Sequence, residues 1–469
     1  MSVQMMMRRG WMAGVAGLFL LGGVVTAVQA ADSSYKGKTI RFLSSSNVHQ
    51  EAFADKLKEI GKEWGMKVEV RMVTTDELQK KVVLDFVGKA DTWDLVYTGG
   101  VQRTFEWFDG GIIDDLAPYM EKHGDKSLLD WQGFTESARG AVTFDKHILG
   151  IAMATSDQAV AYRKDVFDNA DEKAAFKAKY GYDLMPPATY KQYYDIAQFF
   201  TRKKGETLAG QVLDNDFYGI INSNKKGTFL WHDYENQLIA FGAHACDPKT
   251  LKAGLMSPAS IAAAEYYKSL VPFWPANHIN MSSGEATTLF ATGRVAMQFE
   301  YFDRVIFTVG KKETPITAEK VGYVVPPTVE GNPLGVKHPF RSGPAVVSLY
   351  SLSKNKEAAY KLLEAAVSAE NQLDMARKKP GYMPTRTATM VDLAKEMPVV
   401  QYLIDVANGA ADALSDAQLM PYPCILKSSE IGDAISDSIS AILVGGGVKA
   451  ELTKANEKLD RALASLKKN

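Results

Sequence analysis

Gly150 to Val166 reads GIAMATSDQAVAYRKDV, and the fold turns on how its middle is read. Ile151, Ala152 and Met153 have the apolar character of a short buried strand, and Ala159, Val160, Ala161 and Tyr162 have it again. Thr155, Ser156, Asp157 and Gln158 separate the two. A strand broken by small or polar residues and then resumed either turns at a surface hairpin or crosses between two bodies that face a common space. The second alternative puts Ser156 and Asp157 in a hinge beside a cleft.

The remainder of the chain favours the crossing. A chain of 469 residues exceeds what one ordinary core supports, so two lobes are expected. Its 54 basic and 55 acidic residues nearly cancel and form no long run of either sign, which leaves no electrostatic footprint for nucleic acid. Arg8 and Arg9 precede an apolar run from Trp11 to Val28, and Val28, Gln29 and Ala30 supply small residues before a cleavage point at Ala31. Residues 1–30 read as a cleaved export signal, because glycines dilute the run as a membrane anchor and no lipid-site cysteine follows it. A soluble periplasmic protein is expected. Cys246 and Cys424 are the two cysteines, and export permits a disulfide between them without requiring one.

Along the mature chain, Lys38 to Leu43 and Lys67 to Val73 read as strands. Between them Phe53, Leu57, Ile60 and Trp64 mark one face of a helix. Thr74 with Glu77 has the pattern of a capping box, and Trp93 to Tyr97 is the next strand. Such alternation predicts an α/β sheet with parallel strands, whose ligands bind beyond the carboxyl ends. That rule nominates Asn47, His49, Gln50 and Thr98 as cleft residues.

Six motifs in order then carry a resemblance. They are WDLVYTGGVQRTFEWFDGGIIDDLAPYM at 93–120, the crossing stretch with its YRKDVF ending, PATYKQYYDIAQFF at 187–200, ATGRVAM at 291–297, SKNKEAAY at 353–360 and GYMPTR at 381–386. Together they resemble the family 1 extracellular solute-binding proteins of ABC importers, the group that includes maltose-binding protein. The resemblance implies a two-lobed periplasmic-binding-protein fold of type II, with the ligand cleft between the lobes and several hinge crossings. It implies an N-lobe from residues 31–150 plus 340–390 and a C-lobe from 155–335 plus 395–469. The implied partners are a small sugar or polyol and the transmembrane subunits of an ABC permease, with the receptor a monomer and no cofactor or metal required.

Sugars need paired donors and acceptors for their hydroxyls and an aromatic ring against their C–H faces. Trp231 and Tyr234 stand where the family carries an aromatic before a helix end. Tyr301 or Phe302 would replace the ring that many relatives carry after the Ala-Met strand, while Glu300 reads as a hydroxyl acceptor or a counter-charge. Arg341 and Ser342 fall at the return crossing, and Tyr382 lies in the GYMPTR motif. Arg341 could meet an anion, hydrogen-bond hydroxyls or pair with a buried acid. The helix around Ile431 and Gly432 lacks the tryptophan of maltose-type members, which favours a small polyol or monosaccharide over a long maltodextrin. An anionic ligand such as glycerol phosphate or a sugar acid is the alternative reading.

Enzymatic signatures are weak. Ser351 to Lys354 has S-x-x-K spacing without the companion Lys-Thr-Gly, and reads as a strand end followed by a helix start. The seven histidines lack metal-ligand spacing. A secreted glycoside hydrolase with two carboxylates stays open as a further alternative, because spacing along the chain does not fix spacing in a fold.

Overall fold

The computed structural model describes residues 33–309, 314–331, 339–397, 400–407, 412–415 and 419–467, so the expected export signal lies outside the described residues. The strands that carry the architecture are β1 (Thr39–Ser45), β2 (Lys67–Val73), β3 (Leu95–Tyr97), β4 (Ile151–Ala154), β5 (Gln158–Arg163), β6 (Tyr218–Ile221), β7 (Val295–Tyr301), β8 (Val321–Val324), β9 (Pro339–Ser342) and β10 (Ala345–Leu349). One sheet has the order β2-β1-β3-β10-β4, with β1 parallel to β2 and β3, and β10 antiparallel to β3 and β4. The other has the order β6-β7-β5-β8, with β6 parallel to β7, and β5 antiparallel to β7 and β8. β4 thus ends in the first sheet and β5 begins in the second, which makes Thr155, Ser156 and Asp157 a crossing rather than a hairpin.

The chain returns through Arg341, Ser342 and Gly343 into β10. Asp157 pairs with Ser342 in an isolated antiparallel bridge, and the Gly343 amide donates to the Ser156 carbonyl at 2.9 Å. The two crossings therefore lie side by side. Two sheets joined by paired crossings are the two-lobed arrangement that the motifs imply.

Each lobe has its own core. In the first, helix α1 (Val48–Glu63) buries Phe53, Leu57 and Ile60 in a cluster with Ile40 and Phe42 of β1. Asn47 starts that helix by accepting from the backbone amides of His49 and Gln50, which fixes where its first turn sits. Thr74 likewise caps the following helix through the Glu77 amide, but the Glu77 carboxylate turns to Arg71 at 3.5 Å and leaves the capping box half made. Helix α2 (Val101–Asp109) follows β3.

The second core gathers β6, β7, helix α3 (Thr228–Ala240), helix α5 (Ser428–Leu443) and helix α6 (Val448–Leu463). β6 approaches the helix Tyr190–Phe200 so closely that a Cβ on Gly219 would lie 1.9 Å from the Ala197 carbonyl oxygen, so no larger residue fits there. Cys246 and Cys424 are bonded within this lobe. Their bond anchors the segment that carries Ile425, whose side chain enters a cluster with Leu43, Val96 and Trp107 of the first lobe.

Helix α4 (Phe302–Val309) serves both cores: Val305 and Val309 face the second, Phe302 and Ile306 the first. Val400, Tyr402 and Ile404 pack with the first core, although the resemblance assigns everything after 395 to the second lobe. The reason is local, because the Tyr402 hydroxyl donates to the Gln158 carbonyl at 2.6 Å and its ring lies 5.2 Å from Phe302.

Candidate functional site

The carboxyl ends of β1 and β3 and the first turn of α1 face the beginning of α4 across the crossings. His49 Nε2 lies 3.1 Å from Asp303 Oδ2, and the Ser156 hydroxyl donates to Asp303 Oδ1 at 2.5 Å. One carboxylate thereby ties together the first lobe, the hinge and the second lobe. Burial acts to raise the Asp303 carboxyl, but the bond from His49 and the positive charge of Arg304 outweigh it and hold the group below its ordinary value.

The crossings are clamped by α3. Gln158 Nε2 donates to Asp233 at 2.8 Å, Asn236 Nδ2 donates to Gln158 Oε1 at 2.5 Å, and the Arg341 amide donates to Asn236 Oδ1 at 2.7 Å. Arg341 Nη1 reaches Glu235 at 2.6 Å, with both side chains 3% exposed, so the predicted binding arginine is neutralised inside the protein. Its Nε donates to the Tyr301 hydroxyl at 3.1 Å, and Tyr301 lies 2.8 Å from His232 Nδ1. Burial first, and then the charges of Arg341 and Arg304, push His232 well below its usual range. A neutral imidazole accepting at Nδ1 takes the one proton that Tyr301 can give.

Asp157 is enclosed, and its Oδ1 accepts from both the Thr155 hydroxyl at 2.9 Å and the Ser342 hydroxyl at 2.5 Å. Burial, reinforced by Asp303, raises it to about 6 against those two bonds. Glu300 is fully engaged: Ser223 and Ser283 donate to Oε2 at 2.9 and 2.6 Å, and the Tyr301 amide to Oε1 at 2.8 Å. It is therefore an internal brace for Tyr301 rather than a free acceptor. Burial and the nearby Glu300 charge push Asp233 well above the carboxylate range.

Several residues nominated from sequence stand elsewhere. Trp231 and Tyr234 lie in the core of the second lobe; a Cβ on Gly432 would sit 3.0 Å from the Trp231 ring, and Tyr234 packs edge-on to Tyr267 at 5.7 Å. Phe302 is buried against Tyr323 and Tyr402. The Thr98 hydroxyl turns to Thr104 at 2.7 Å and to the Gly100 carbonyl, steadying the start of α2. Tyr382 stands edge-on to His49 at 5.9 Å and donates to the Met153 carbonyl, so it supports the histidine from behind. In the S-x-x-K segment the Ser351 hydroxyl is buried with no hydrogen-bond partner among the described residues, and exposed Lys354 turns to Asp91 at 3.7 Å, so the two form no catalytic pair.

The cleft groups that the sequence reading missed are Tyr97, Phe229, His232, Asp303 and Arg304. Arg304 lies over the Phe229 ring at 4.4 Å, is 5.7 Å from the Tyr301 ring and donates to Ser283 at 3.1 Å. Among the described residues these contacts, and no carboxylate ion pair, hold it. A stacked guanidinium beside aromatic rings offers both a flat surface and donors to a ligand.

The fold and this hinge-side cleft define a two-lobed receptor for a small solute. Residues 47–373 match the profile of the bacterial extracellular solute-binding protein family, and the chain belongs to it. A binding protein of Brucella abortus (strain 2308) is 24% identical over 475 residues, covering 98% of this chain and 100% of that one. Among solved structures, an ABC transporter solute-binding protein from Agrobacterium radiobacter K84 in complex with ribitol aligns with a TM-score of 0.72. It is 21% identical and covers 91% of this chain and 99% of its own. A counterpart from Agrobacterium vitis S4 with bound D-mannitol gives 0.70 at 22% identity, over 92% and 99%. Among the described residues no helix is long and apolar enough to cross a membrane, and no cluster of three metal-ligating side chains occurs.

Proposed function

We propose that this protein captures a small neutral polyol or monosaccharide in the periplasm and delivers it to the transmembrane subunits of an ABC permease. The observation that carries the neutral reading is the Arg341–Glu235 pair, in which Arg341 meets a buried acid and is spent as one candidate receptor for an anion. Beside the Arg304 guanidinium, what remains there is hydroxyls, amides and rings, the chemistry that polyhydroxylated ligands need. The ribitol and D-mannitol bound to the two Agrobacterium proteins support the same class. The protein acts as a monomeric, exported receptor without turnover or cofactor in this reading.

A thermal-shift panel of ribitol, D-mannitol, monosaccharides, glycerol phosphate and sugar acids tests it. A ligand at a hundred times its dissociation constant adds about 2.7 kcal/mol to stability. A panel in which only anions raise the melting temperature would overturn the neutral reading. Arg304 favours that second alternative, because its charge is not taken up by an ion pair among the described residues. Steep loss of affinity with salt would mark it.

A further inference from the structure

Gln50 sits in the first turn of α1, next to the histidine that meets Asp303 of the other lobe. Its side chain is fully buried, yet neither Oε1 nor Nε2 has a hydrogen-bond partner among the described residues. The amide lies beside the Tyr97 phenol but outside hydrogen-bonding geometry, and Tyr97 in turn feels Arg304 from the other lobe. The adjacent His49 Nδ1 is also buried without a partner. Unpaired donors and acceptors thus collect on the turn of α1 where the two lobes meet.

An amide in the open cleft is paired with water, so bringing the lobes together strips it of partners and leaves the full cost of an unmet buried group. The direct contacts at the same place work the other way: His49 and Ser156 to Asp303 favour the closed arrangement. From this opposition we propose that Gln50 makes closure conditional on the ligand, by penalising the empty closed form until adjacent hydroxyls fill both ends of its amide. A vicinal diol supplies one donor and one acceptor at neighbouring positions, which is the pair a carboxamide presents in reverse. The inference rests on the receptor reading above and adds a specificity rule to it: a ligand able to pair only one end of the amide closes the lobes less well.

The test compares wild type with Gln50→Leu, and with Gln50→Met as an unbranched apolar variant should leucine not fold. Melting and circular dichroism establish folding first. Distances between one spin label on each lobe then give the closed fraction without any ligand. The ratio of closed to open should rise about fivefold or more in the variant, the change that corresponds to about 1 kcal/mol for one unmet group. An unchanged distance distribution in a folded variant overturns the proposal. In a second arm, ribitol and D-mannitol are titrated into both proteins. Weaker binding by the variant than by wild type supports the pairing, and equal binding overturns it. A wild type that ignores both polyols and every neutral panel compound refutes the receptor's ligand class instead, while the ligand-free distances still decide the role of Gln50.

Discussion

Asp157 holds its proton more tightly in the folded protein than in an unfolded chain, about 6 against an ordinary value near 3.9. Between pH 4 and 6 the native state binds more protons, so stability from this group is full below pH 4 and is lost as pH rises through 6. Asp157→Asn keeps an oxygen for Ser342 and Thr155. It should stabilise the protein at pH 7 by up to about 3 kcal/mol, flatten the slope between pH 4 and 6, and give nothing below pH 4. Urea midpoints across that range measure it, and an Asn variant no more stable than wild type at pH 7 would sink the idea. Arg341 invites the opposite expectation. Arg341→Met strands Glu235 in the interior and should cost about 3–5 kcal/mol, with part recovered when Glu235→Gln is added. Denaturant titration of the single and double variants tells a structural pair from a ligand contact, since recovery by the second change is expected only of a pair. Asp157 was legible as a hinge residue because its neighbours in sequence change character around it. The partner of Arg341 was not, since nothing in the chain links 341 to 235.

Helix α3 shows what a finer reading of periodicity would have recovered. Leu230, Trp231, Tyr234 and Leu238 recur at helical spacing and all lie in the core. Phe229, His232, Asp233 and Asn236 form the other face, and it is this face that meets Arg304, Tyr301 and the crossings. The bulky aromatics singled out from sequence lie on the core side of this helix, whose register the sequence alone does not assign. The contrast is measurable. Phe229→Ala should weaken ligand binding roughly tenfold, about 1.4 kcal/mol, with little change in melting. Trp231→Ala should cost about 3–5 kcal/mol of stability because it opens a cavity against Gly432. Paired calorimetry and melting would contradict this assignment if the two effects were exchanged. The Cys246–Cys424 bond is a second element-scale matter, because it closes a separation of 178 residues. Chain entropy alone attributes up to about 5 kcal/mol to such a link, so reduction or Cys424→Ser should lower the melting temperature markedly. Unchanged melting after verified reduction would count against it.

At the scale of the whole molecule, the architecture was legible because crossings leave a mark that hairpins do not: apolar runs resume in another sheet after a polar break, as β4 and β5 do. The mixed role of α4 and the lodging of Tyr402 at the hinge were not legible, since both depend on which distant side chains surround them. Two lobes joined this way respond to ligand by hinge closure. Small-angle scattering with ribitol or D-mannitol at saturation should give a smaller radius of gyration than without, and equal radii for a ligand that demonstrably binds would mean fixed lobes. The antiparallel bridge between Asp157 and Ser342, with the Gly343 amide on Ser156, has a mechanical consequence. Separate tethers would let the lobes twist and slide independently, whereas two of the crossings laced into a ribbon act as a leaf spring that favours flexing about one axis and resists shear. The receptor's travel then reduces to a single coordinate, and one pair of dyes placed across the cleft should trace the same curve against ligand as any other pair.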